Sequence, residues 1–167
     1  MSIQLGLRGI TAMLNSTSPR KKTEHEEQIK LVHIIKNHLS FQYPQLKIFY
    51  SVPNGVKLDR AIANTMILEG LTAGVPDLFL PYPSQGFHGL YIEMKSTDGK
   101  LSKHQKEFRD DVVAVGYYHC VPRSAVEALR YIVSYCCIPM SVYAHWSEYL
   151  KLSSKELRGM SEKGLVN

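Results

Sequence analysis

Between Leu90 and Lys95 the chain alternates strictly: Leu90, Ile92 and Met94 fall on one side, Tyr91, Glu93 and Lys95 on the other. Such a two-residue period makes sense only in an extended strand, where successive side chains point to opposite faces of a sheet. One face of that strand is apolar enough to sit in a core, and the other carries an acid and an ammonium side by side. A second short strand is expected at Asp77-Leu-Phe-Leu-Pro81, opening on an acid directly after the turn Thr72-Ala-Gly-Val-Pro76. The loop from Pro81 to Gly89 is short enough to return the chain alongside, so Asp77 and Glu93 are expected on neighbouring strands.

The flanking segments supply helices. Thr23 with Glu26 three residues on forms a capping box, and Leu31, Val32, Ile35 and Leu39 follow at helical spacing, which predicts a helix over 24–39. Lys47 to Val52 reads as a strand with Ile48, Tyr50 and Val52 on one face, stopped by Pro53-Asn-Gly55. Residues 58–69 look helical and close on Gly70; Ser102 caps a helix running to about Val115 and ending at Gly116; Tyr117 to Val121 forms a fourth strand, and Ser124 to Cys137 another helix. Strands interleaved with helices, without internal repeat, predict an α/β fold: a mixed central sheet flanked by helices. The expected organisation is a flexible, basic lead-in at 1–22, one domain at 23–137, and a C-terminal extension at 138–167. In that extension Trp146, Tyr149 and Leu152 have the spacing of a helix packed on the core or on a second copy of the chain.

Two carboxylates on neighbouring strands suit one chemistry in particular. Cleaving a phosphodiester near neutral pH calls for a metal that activates water and neutralises phosphate, and Mg²⁺ takes few carboxylate oxygens while keeping several waters. Asp77 and Glu93 provide the oxygens. Lys95, on the same face as Glu93 and about 6 to 7 Å along the strand, can orient the attacking water and stabilise charge on the phosphate. An acid followed by Glu-x-Lys also arises on ordinary solvent faces; here the rigid Gly74-Val-Pro76 turn that aims Asp77 favours the site.

Two further groups have competing structural explanations. Gln105 completes a capping box with Ser102, a purely local role, yet Gln105, Phe108, Val112 and Val115 form one stripe that faces the sheet, which also offers its amide to the site. On the first helix, Glu24, Gln28, Val32, Ile35 and Leu39 share a stripe, so Glu24 is the acid aimed inward while Glu26 and Glu27 point elsewhere. Any acid there would also favour the helix N-terminus electrostatically. Asn54 belongs to an ordinary turn, and the seven histidines show no HExxH or similar ligand spacing.

Composition adds boundaries. Lys and Arg outnumber Asp and Glu 20 to 15, a formal charge of +5 that assists approach to a polyanion. Cys120, Cys136 and Cys137 are odd in number and two are adjacent, which fits neither a disulfide framework nor a zinc knuckle. With no run near the roughly 20 apolar residues of a membrane helix, the expectation is a soluble protein of a reducing, cytoplasmic compartment.

Glu24 through Gln28, Pro53-Asn-Gly55, Gly70-Leu-Thr-Ala-Gly-Val-Pro-Asp77, Gly89-Leu-Tyr-Ile-Glu-Met-Lys95, and Ser102-Lys-His-Gln105 followed by Gly116-Tyr117 stand in an order that resembles the VRR-NUC family. These virus-type replication-repair nucleases form a branch of the PD-(D/E)xK superfamily. The resemblance implies a restriction-endonuclease-like core in which Asp77, Glu93 and the backbone carbonyl of Met94 bind Mg²⁺ or Mn²⁺, Lys95 serves the water, and Glu24 and Gln105 complete the site. Short members resemble phage or bacterial enzymes, which implies a homodimeric DNA endonuclease of repair, acting in the host cytoplasm on branched DNA such as Holliday junctions and leaving a 5′-phosphate and a 3′-hydroxyl. Two alternatives remain open at this point: a non-catalytic nucleic-acid-binding module that keeps the fold, and a restriction-like enzyme with a recognition sequence.

Overall fold

The computed structural model describes residues 23–52 and 60–151. The expected lead-in, the Pro53-Asn-Gly55 turn and Leu152 lie outside them. Among the described residues five longer helices and four strands occur in the order α1 (Glu24–Ile34), β1 (Tyr50–Ser51), α2 (Arg60–Leu68), β2 (Leu78–Leu80), β3 (Leu90–Ile92), α3 (Lys103–Ala114), β4 (Tyr118–Cys120), α4 (Ala125–Tyr135) and α5 (Met140–Lys151). The sheet runs β1-β2-β3-β4, antiparallel except for the parallel β3–β4 pair. This is the α/β architecture expected from the sequence, a mixed sheet flanked by helices.

One sheet face makes the main core. Leu78, Leu80, Leu90, Ile92 and Met94 are fully buried against Leu31, Ile34 and Ile35 of the first helical segment and Ala128, Leu129 and Ile132 of α4. Each such Leu or Ile contributes roughly 1.5–3 kcal/mol by leaving water. The other face carries a cross-strand row, Tyr50, Phe79, Tyr91 and His119, set by the register of all four strands. Phe79 stacks on Tyr91 at 4.2 Å between centroids, and Phe108 of α3 meets Tyr91 edge-on at 5.5 Å. Helix α5 packs on α4 and α1, with Ser147 and Leu150 buried and Trp146 against His38 at 4.6 Å. The described part of the extension, to Lys151, therefore packs on the chain's own core.

Three local expectations need correction. The first helix keeps α geometry only to Ile34, then widens to a π turn at Ile35–Leu39 and closes at Ser40–Gln42. Its buried α-helical stripe is Glu27, Leu31 and Ile34, so Glu27, expected to point elsewhere, is inside at 6% exposure. Leu31 and Ile34 are the apolar residues four and seven positions after Glu27, and they set the inward face. The strand predicted at 47–52 is a 3₁₀ turn over Pro44–Ile48 followed by the two-residue β1. Pro44 favours a helical start, and Phe49 takes the core position while Ile48 and Tyr50 stay half exposed. On α3, Gln105, Phe108 and Val112 do face the sheet, but Val115 lies beyond the helix end and is exposed.

Candidate active site

The register that pairs Leu78 with Ile92 and Phe79 with Tyr91 continues by one residue to place Asp77 opposite Glu93. Cross-strand neighbours have Cβ atoms about 4.5–5.5 Å apart, so the two acids are held together by strand pairing alone. Asp77 Oδ2 accepts the Met94 N–H at 2.9 Å, which locks that carboxylate across the strand end. Beyond the regular strand, Glu93 N–H donates to Cys120 O and Lys95 N–H to Pro122 O, both at 3.0 Å, so the Glu93–Lys95 segment stays fixed to the chain after β4.

Glu93 is the centre of the arrangement. It is 1% exposed, and its Oε1 accepts Lys95 Nζ at 2.6 Å and Gln105 Nε2 at 2.5 Å. Its Oε2 is buried with no hydrogen-bond partner among the described residues. Burial drives the Glu93 carboxyl up to about 7, with the charges of Asp77 and Glu24 adding to the rise against the opposing pull of Lys95. Asp77 is raised too, first by burial and, more weakly, by Glu24, while the Met94 N–H and Lys95 pull it down. A buried carboxylate that lacks a partner on one oxygen, beside a second acid, is a donor set suited to a hard cation. Glu93 and Asp77 with a backbone carbonyl at Met94 are the groups that would hold one. Among the described residues no three His, Cys, Asp or Glu side chains gather as a ready ligand cage.

The remaining expected groups approach from both sides. Gln105 uses both ends of its amide: Oε1 accepts the Ser102 N–H at 2.9 Å in the capping box, and Nε2 holds Glu93. One amide thus closes the cap and also reaches Glu93. Gly74 (φ +85°) explains how α3 comes so close, because a Cβ there would lie 2.3 Å from the His104 carbonyl oxygen. Only glycine lets the turn before Asp77 lie against the start of α3. From α1, Glu24 Oε1 accepts the Ser96 N–H at 2.7 Å, and together with Lys95, Ser96, Thr97 and Arg123 it lines a cleft of about 290 Å³. All five expected side chains thus meet at one end of the sheet.

Two residues were not singled out from the sequence. Glu27 Oε2 accepts the Ala125 N–H at 2.8 Å, tying α1 to the first turn of α4. Arg123 Nη1 donates to the carbonyls of Ser96, Thr97 and Gly99 at 2.7, 2.8 and 3.0 Å. Its only sequence signal is its place just after the fourth strand, a position that becomes informative once β4 is known to run parallel to β3.

The VRR-NUC domain model matches residues 22–125, more than half of the chain and every residue of this site. The chain belongs to the VRR-NUC family. A solved structure described as a VRR_NUC domain protein superposes on this VRR-NUC chain with a TM-score of 0.61 and 23% identity, covering 71% of this chain and 92% of that one. At that identity the likeness shows the shared fold. No curated protein matches closely enough to count as a relative. Among the described residues no helix is long and apolar enough to cross a membrane.

Proposed function

We propose that this VRR-NUC chain is a metal-dependent DNA endonuclease, using Mg²⁺ or Mn²⁺ held by Asp77, Glu93 and the Met94 carbonyl, and selective for branched DNA such as four-way junctions. The observation that carries the reading is Glu93: a buried carboxylate opposite Asp77, with one oxygen tied to Lys95 and Gln105 and the other unpartnered. When bound, the cation supplies the positive charge that activates water and neutralises the phosphate. Lys95, anchored on Glu93 Oε1, is placed to orient that water and to meet negative charge growing on the phosphate. Gln105 fixes the Glu93 carboxylate through Oε1, so that Oε2 would be left to hold the cation. Glu24, held by the Ser96 N–H, lines the cleft beside Lys95 and orders water there.

Partner and geometry follow from charge and symmetry. A net charge of +5 favours a polyanion. A homodimer would present two sites related by a twofold axis, which suits paired cuts in a symmetric junction. The test is cleavage of labelled four-way junction, flap, single-stranded and linear duplex DNA with Mg²⁺, Mn²⁺ or EDTA, beside Lys95→Ala. Metal-dependent, paired nicks in the junction that vanish in the variant are expected, with DNA binding largely retained. Unchanged turnover in Lys95→Ala would remove Lys95 from the mechanism, equal cutting of all four substrates would remove the branched-DNA selectivity, and binding without any cutting would overturn the enzyme.

A further inference from the structure

The geometry points to Arg123 as a positioning residue of the site: its guanidinium gathers the 96–99 turn and thereby holds Glu24 and Lys95 in place. Arg123 follows the Pro122 carbonyl that receives the Lys95 N–H, so it leaves the sheet beside the Lys95 strand end. There one nitrogen, Nη1, donates to three carbonyls, those of Ser96, Thr97 and Gly99. Two hydrogens serving three acceptors means that one is shared. Ser96 is thereby held at both ends, its carbonyl by Arg123 and its N–H by Glu24 Oε1, and Gly99 N–H closes the turn on Ser96 O at 2.9 Å.

Gly99 presses the turn against the site. A Cβ there would stand 3.1 Å from Glu24 Oε1 and 3.2 Å from Lys95 Cδ, so the turn lies close to both side chains and leaves little room between. Glu24 comes from α1 and Lys95 from the segment that follows β3, and the turn clamped by Arg123 is what fixes their relation on the cleft side. A lysine at 123 would bring a point charge without the flat, delocalised cation. The backbone of residue 123 is held independently, by Glu127 Oε2 accepting its N–H at 2.7 Å, so removing the side chain leaves the strand and α4 in place.

The geometric claim is independent of the nuclease reading, whereas its effect on turnover rests on that reading. Two measurements separate them. Amide hydrogen exchange in full-length Arg123→Ala is expected to accelerate about tenfold or more at Ser96 and Gly99 while Ile132 in α4 keeps its wild-type rate. Cleavage by the same variant is expected to lose about tenfold or more in kcat with KM within about twofold, and added guanidinium ion at low millimolar concentration is expected to restore part of it. Glu24→Ala should then cost much less in the Arg123→Ala background than in the wild type. Wild-type exchange rates at Ser96 and Gly99 would overturn the clamp, whether or not the protein cuts DNA. Faster exchange with unchanged kcat, or a kcat loss that guanidinium does not restore and that adds fully to Glu24→Ala, would overturn the positioning role.

Discussion

Two helices begin at this site with the same device and use it differently. Helix α1 opens with the Thr23–Glu26 capping box and α3 with the Ser102–Gln105 box, each with both reciprocal hydrogen bonds formed. At α1 the work is divided among neighbouring acids: Glu26 caps, Glu24 reaches the site, and Glu27 docks the helix on α4. At α3 one residue does two jobs, since Gln105 caps with Oε1 and holds Glu93 with Nε2. The two sides also act on Glu93 in opposite senses. Gln105 donates to its carboxylate, whereas Glu24 adds negative charge that disfavours ionisation. The same local motif thus yields separable functions on one side of the sheet and fused functions on the other.

The largest expected effect tests that opposition at Glu93. Its folded pKa, about 7, stands above the ordinary 4.5, so the metal-free fold loses stability as pH rises through this range, by on the order of 3 kcal/mol. His119 works the other way: burial lowers it to about 4 from 6.5, so its contribution to stability is lost as pH falls from 6.5 to 4. The two slopes oppose each other where they overlap, between about pH 4.5 and 6.5, so the loss contributed by Glu93 is partly masked in metal-free wild type. Glu93→Gln should instead gain stability with rising pH across that window, which melting curves in EDTA will show; parallel curves would mean Glu93 is not perturbed.

Glu27→Ala comes next, because it leaves a buried Ala125 N–H without its acceptor and should lower stability by about 2 kcal/mol in denaturant melts. Retained kcat in the fraction that stays folded would confirm that Glu27 docks the helix and does not touch substrate. For Gln105→Ala the account predicts a combined loss, about 1 kcal/mol of stability from the cap and at least about tenfold in kcat. If only stability fell, Gln105 would be a cap like Glu26. The smallest effect belongs to Glu26→Ala, about 0.5 kcal/mol with cleavage unchanged; a marked loss of activity there would erase the division of labour at α1.

The sequence made the sheet end legible because alternation and strand pairing are local. Leu90, Ile92 and Met94 read as the core face, Asp77 and Glu93 as cross-strand neighbours, and both capping boxes as helix starts. What it concealed depends on which apolar residues win an ambiguous face. Phe49 displaced Ile48 and Tyr50 from the interior, and Leu31 with Ile34 turned Glu27 inward in place of the 28–32 stripe. Arg123 was hidden for a different reason: its partners lie more than twenty residues back, and only the parallel β3–β4 pairing brings them within reach.

Titration calorimetry of Mn²⁺ into the wild type, Asp77→Asn and Glu93→Gln tests most directly the proposal that Asp77 and Glu93 together hold a divalent cation. Both variants keep the shape of the side chain and an acceptor oxygen. A bound ion in the wild type and loss of that binding in each variant are expected, whereas undiminished Mn²⁺ affinity in both would overturn the proposal.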